Sequence, residues 1–330
     1  MQATPRLVIL AAAVLAVCDG ARAEWAGTVE GNLFYTNDVS LFSASRRLSL
    51  REDPTQPVVD RTRQGEDMVM EPVVEVRRVS TSRLGATEIS FKTQGYVYAQ
   101  NPLFNHGTYR LRLTQDLSPS MLLRLHYYYA PNLFLGPNRE HRTGTGSTDE
   151  ERVTTHFWSA HLEQRVGESL NLRLLGRYGL RLYNEAFAER DTRFWTIGPH
   201  LEWRLSPRLD MTVGYHYERG LADGRNQPQF NDDVSYINHY VSWEATFRLT
   251  QRTSFVVGFD YERNDFTSEL ADDDRRGARE DVYQGDVKLR HAVSNAMALT
   301  LGFQRSQRNA TLERRAISDI NVWVGGDYRF

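Results

Sequence analysis

Cysteine is nearly missing from this chain of 330 residues; the single one is Cys18. That leaves nothing to build a disulfide framework. Long apolar runs are missing too. After residue 23 no stretch of about 18 apolar residues occurs, so no helical membrane span is expected. Charge of one sign is also missing: Lys and Arg number 40 against 42 Asp and Glu, and the formal net charge is −2. Such a balance gives no case for nucleic-acid binding. There is no Cys/His zinc cluster and no phosphate-cradling glycine loop. Asp272, Asp273 and Asp274 adjoin, but Arg276 and Tyr283 stand where a calcium-binding hand needs acidic ligands. No metal and no cofactor is expected.

The first residues read as a secretory leader. Arg6 supplies a positive charge, Leu7 to Val17 is an apolar run, and Ala21-Arg22-Ala23 is a small-residue cleavage site. Residues 1–23 are therefore read as a signal peptide and residues 24–330 as one domain. A rival is a lipoprotein processing site at Leu15-Ala16-Val17-Cys18, where Val17 is bulky for a position that wants a small residue. Under the main reading the mature chain has no cysteine.

What the mature chain does have is alternation. About fourteen stretches repeat apolar and polar residues with period two, the pattern of strands with two unlike faces. They run over Trp25–Tyr35, Met68–Val79, Gly85–Gln100, Thr108–Leu117, Met121–Ala130, Val153–Val166 and Leu170–Tyr183. They continue over Thr192–Leu205, Leu209–Arg219, Val234–Leu249, Thr253–Arg263, Asp281–His291, Ala296–Gln307 and Ala316–Phe330. Soluble strands average about 5–6 residues; these are about twice that, near the 9–11 a tilted membrane-crossing strand needs. Short turns such as Ser118-Pro119-Ser120 alternate with mostly longer, charged connections at 36–67, 131–152, 220–233 and 264–280. Pro72 and Pro199 fall inside strands, where each removes a ladder donor and predicts a bulge or a local break. The fold class that follows is all-β: a transmembrane antiparallel up-and-down β-barrel of about fourteen strands, with short turns at one end and long loops at the other.

The last stretch, Gly325-Gly326-Asp327-Tyr328-Arg329-Phe330, alternates to its final residue. It resembles the C-terminal assembly signal of bacterial outer-membrane barrels, carried here by Gly325, Tyr328 and Phe330. The resemblance implies the outer membrane of a Gram-negative bacterium, with outer-membrane lipids and the barrel-assembly machinery as partners. An even strand count puts both ends on the periplasmic side. Aromatic residues on the apolar face agree: Tyr127, Tyr129, Trp158, Trp195, Tyr215, Tyr217 and Tyr261 near the loops, and Trp203, Phe247, Tyr328 and Phe330 near the turns. Two such belts are expected where a barrel meets both interfaces.

The inward face carries charge. Arg110, Arg112, Arg124, Arg165, Arg173, Arg177 and Arg181 come from strands four to seven. Carboxylates gather elsewhere: Glu30, Glu71, Glu75, Glu88, Asp210, Glu218, Glu244, Asp260 and Glu262. Two unlike walls would set a transverse field across a wet lumen, and guanidinium forks suit carboxylate or phosphate. In design the chain is similar to monomeric outer-membrane porins. That resemblance implies passive diffusion of small polar or charged solutes through a charge-lined channel, with no catalysis. Three alternatives stand beside it. The charges pair across strands and merely fill the lumen; the barrel exports a polysaccharide or sheathes a periplasmic partner; or it is a lipid-facing enzyme. For the last, His156 and His239 face outward but no outward serine partners either. His126, His161, His200 and His216 face inward among the charges.

Overall fold

The computed structural model describes residues 24–39, 65–82, 85–312 and 316–330. The expected leader and most of the first long connection lie outside the described residues. Fourteen strands are present: β1 (Glu24–Thr36), β2 (Asp67–Ser82), β3 (Gly85–Tyr98), β4 (His106–Ser118), β5 (Met121–Arg139), β6 (Thr148–Val166) and β7 (Leu170–Tyr183). The rest are β8 (Thr192–Ser206), β9 (Leu209–Ala222), β10 (Tyr236–Arg248), β11 (Thr253–Phe266), β12 (Arg279–Ala292), β13 (Met297–Ala310) and β14 (Ile317–Arg329). Each pairs antiparallel with its sequence neighbours, and β14 pairs with β1, so the sheet closes into an up-and-down barrel without an edge. No helix among the described residues is long and apolar enough to cross a membrane.

Burial is inverted relative to a soluble protein. Phe330 is 65% exposed and Val324 55%, while Asp319 and Asn321 on the same strand are fully buried. Successive side chains point to opposite faces, so one alternating strand supplies an apolar outside and a polar inside. Trp158, Trp195, Trp203, Phe247 and Tyr328 are exposed on the outside, as the belts require.

Two departures from the alternation have physical causes. β5 and β6 run nine and five residues beyond their expected ends, forming a tall hairpin where a loop was expected at 131–152. Pro131, Gly136 and Pro137 read as loop residues, but register shifts at Ala130/Leu133 and Phe134/Gly136 absorb them. Asn132, at φ 50°, takes the left-handed turn such a shift needs. Pro72 and Pro199 cause no shift. Each keeps its pairing with one neighbouring strand, β1 and β7 respectively, and interrupts the other ladder for two residues.

Inside the loop half, Phe34, Val69, Tyr96, Tyr98, Phe104, Phe134 and Trp323 form one apolar cluster. It fills that side of the lumen and leaves the space beside β4–β12 to charge. On the outside, the Phe330 ring lies over Gly27, where a Cβ would come within 2.3 Å of it. Backbone hydrogen bonds run both ways between the two residues, at 2.8 and 3.0 Å. Glycine there lets the last residue seal the seam between β14 and β1.

Candidate functional site

A central chamber of about 420 Å³ sits at mid-barrel. Arg110 and Arg112 of β4, Arg124 of β5, and Arg173 and Arg177 of β7 line one side. Glu244, Asp260, Asp286 and Lys288 of β10–β12 line the other. In a ring of fourteen strands β4 and β11 stand opposite each other, so topology alone separates the cationic wall from the carboxylate wall.

Cross-strand geometry orders the arginines. Arg112 donates to Glu75 and Glu88 at 2.9 Å each. Glu163 accepts from Arg124 and, at 2.6 Å, from Arg173, which also reaches Glu202 at 2.5 Å. Arg177 lies 4.7 Å over the Phe157 ring. The expected inward residues thus share the lumen, and several of them pair as the space-filling alternative anticipates. Glu163, Glu202, Asp286 and Lys288 were not singled out from sequence; their period-two positions beside Arg165, Arg204 and Arg290 were the available signal.

Four histidines stand against the same chamber in two pairs, the first tilted and the second stacked. The His126 and His161 rings are 4.8 Å apart, as are those of His200 and His216. In the second pair the Nε2 atoms approach to 2.6 Å. The outward His156 and His239 instead bond the hydroxyls of Tyr127 and Tyr215, at 2.9 and 2.8 Å.

A further cavity, of about 570 Å³, adjoins the chamber toward the turns. It shares Arg124, Glu202 and Thr212 with the chamber and carries Arg165 and Asp210 on its wall. Asp210 there holds Arg248 and lies 3.6 Å from Arg204.

Toward the loops the inward face carries aromatic rings set against glycines. One line of register partners crosses eight strands: Arg110, Tyr128, Phe157, Gly179, Phe194, Gly220, Tyr236 and Phe266. A Cβ on Gly179 would come within 2.1 Å of the Phe194 ring, and one on Gly220 within 2.1 Å of Tyr236. The glycines let those rings lie flat across the wall, where they support Arg181. Its guanidinium stacks 4.6 Å over Phe194, donates to Tyr236 at 2.6 Å and reaches Glu218 at 3.4 Å. Arg181 is 1% exposed. It therefore belongs to this packed layer and stands apart from the Arg173–Arg177 wall, although all three share a strand face. Glu262, bonded by Asn238 at 2.6 Å, and Asp260, bonded by the Tyr240 hydroxyl at 2.5 Å, continue the polar packing.

Above that layer the loops carry their own charge cluster, which sequence periodicity does not reveal. Arg190 forks between Asp232 at 2.7 Å and Glu151 at 2.9 Å, and Arg275 also pairs with Asp232. Asp273 accepts from Ser268 at 2.6 Å and from the Asp233 and Arg275 amides at 2.9 Å each. The Asp272–Asp274 run is thus a loop-organising feature. Glu189, fully buried in the turn before β8, has Arg142 at 3.6 Å. Burial pushes its carboxyl up to about 7, and the neighbouring Asp232 charge adds to the rise. No group of three or more metal-binding side chains is present among the described residues.

No protein-family model and no curated protein matches the chain. Solved structures do. The outer-membrane channel DcaP of Acinetobacter baumannii is similar at TM-score 0.56 and 12% identity, over 94% of this chain and 98% of that one. The trimer form of in-vitro folded OmpT, an outer-membrane protein of Vibrio cholerae, is similar at TM-score 0.53 and 9% identity, over 94% and 100%. OmpT expressed in the outer membrane of the same organism is similar at TM-score 0.50 and 8% identity, over 95% and 99%. At such identities the likeness carries the fold alone: the chain is a closed antiparallel β-barrel of fourteen strands, similar in fold to these outer-membrane proteins.

Proposed function

We propose that this chain is an outer-membrane channel for passive diffusion of small charged or polar solutes, with both chain ends on the periplasmic side. The observation that carries the reading is the central chamber. Its arginine wall faces its carboxylate wall, and the cavity at the turn end shares Arg124, Glu202 and Thr212 with it. A solute entering there crosses a transverse field that orients dipoles and sorts charge, with selectivity set by lining side chains. Assembly by the barrel-assembly machinery through Gly325, Tyr328 and Phe330 belongs to the same proposal.

Purified protein in a planar bilayer tests it. Discrete conductance steps are expected, with a reversal potential in a salt gradient that moves when lining charges are changed. Absence of steps from heat-modifiable, correctly folded protein refutes the channel and leaves a lumen filled by paired charges.

A further inference from the structure

Arg305 stands on the outer face of β13, between the outward Phe303 and Gln307. Its register partners are Gly285 of β12 and Ile320 of β14. Gly285 leaves a gap in the apolar surface: a Cβ built on it would meet only the Gly258 carbonyl oxygen, at 3.9 Å. The gap is the floor of an outward groove of about 430 Å³. Phe259, Tyr283, Val287 and Phe303 wall it, and Arg305 stands at its edge. Tyr283, paired with Tyr261 and with Gln307, marks the aromatic belt on this side. Arg305 lies one outward position from that belt toward the membrane.

Three other outward arginines of the loop half have partners. Arg263 forks onto Asp265 at 2.9 and 3.0 Å, Arg279 lies 3.1 Å from Asp281, and Arg219 donates to Thr267 at 2.9 Å. Among the described residues Arg305 has no hydrogen bond, ion pair or ring contact. A cation on the lipid face is disfavoured unless something outside the chain meets it.

We propose that this groove binds one acyl chain and the adjoining phosphate of lipid A, the phosphorylated, multiply acylated glycolipid of the outer leaflet. The walls match an acyl chain in chemistry. The guanidinium matches a phosphate in charge and fork geometry. Its height, just inside the belt, is where a headgroup phosphate meets the first methylenes. The inference rests on the outer-membrane reading, in which the loop end meets the outer leaflet.

The test uses the full barrel in detergent, titrated with bisphosphorylated lipid A and read by native mass spectrometry. Wild type is expected to retain one lipid A per barrel. Arg305→Gln should lower retention by about tenfold, the loss of one charge-assisted contact. Gly285→Leu, which fills the groove, should lower it as much. Dephosphorylated lipid A should bind wild type no better than the intact lipid binds Arg305→Gln, an arm that needs no variant to fold. Equal retention of both lipids by wild type, or of lipid A by wild type and both variants, overturns the site. Equal retention of phosphatidylglycerol overturns lipid A as the occupant. Loss of an oligomer in Gly285→Leu with lipid retention unchanged makes the groove a contact between copies of this chain. A heat-dependent gel shift is recorded for every sample. Wild type without that shift fails the outer-membrane reading itself, whereas folded barrels that ignore the phosphate fail only this proposal.

Discussion

Replacing Arg110 and Arg177 together by Gln removes two positive charges from the wall of the central chamber. Arg112, Arg124 and Arg173 stay in place, so that their ion pairs with Glu75, Glu88, Glu163 and Glu202 are the same in wild type and variant. A sphere of the chamber's volume has a radius of about 5 Å, which puts lining charges roughly 7 Å from a permeating ion. In water one unit charge at that distance contributes about 0.6 kcal/mol, and two about 1.2 kcal/mol. Screening over about 10 Å at 0.1 M salt halves this to about 0.6 kcal/mol, close to thermal energy. The term attracts anions and repels cations alike, so removing it lowers the anion-to-cation permeability ratio by roughly eightfold. At 1 M salt, with a screening length of about 3 Å, the same change is only about 1.5-fold. Reversal potentials in planar bilayers, in gradients held at low and then at high salt, read both values. An unchanged ratio at low salt, with conductance intact, refutes the placement of these two side chains on the ion path. An equal shift at both salts refutes the electrostatic cause.

Three further outcomes follow from the packing. Phe330→Ser removes the ring that covers Gly27 at the seam, and a sharp fall in heat-modifiable protein in the outer-membrane fraction is expected; normal levels would show that neither the seam nor an assembly signal depends on this residue. Arg181→Met takes the guanidinium away from buried Glu218, which accepts from the Thr196 and Tyr236 hydroxyls, and should cost about 3–5 kcal/mol, seen as a lower heat-modification midpoint. Adding Glu218→Gln should restore most of it; no recovery would mean that Arg181 acts through stacking alone. Glu189 holds its proton up to about 7 in the folded loops, against about 4.3 in an unfolded chain. The folded state therefore binds more protons between those values, and the loop cluster is most stable below the lower one and loosens as pH rises through about 7. Hydrogen exchange over residues 185–191 at pH 5 and pH 8 measures this, and Glu189→Gln should abolish the difference.

Period-two alternation by itself decided the class of fold, an approximate strand number and the faces of the residues named from it, because a closed barrel leaves each strand one outer side and one lumen side. It also located the arginines and carboxylates on the inner wall. It did not decide which charges meet. Arg173 and Arg181 share a face eight residues apart, yet one lines the chamber and the other is packed between Phe194 and Tyr236. That difference comes from glycines on β7 and β9 that admit rings from β8 and β10. The tall β5–β6 hairpin was hidden because register shifts let prolines and a glycine sit in strands. The loop cluster around Asp232 was hidden because its members come from three separate connections and from β6, with no periodicity to relate them. The groove at Gly285 depends on a missing side chain on one strand lying beside Arg305 on the next, a register set by the β12–β13 hairpin and not by alternation alone.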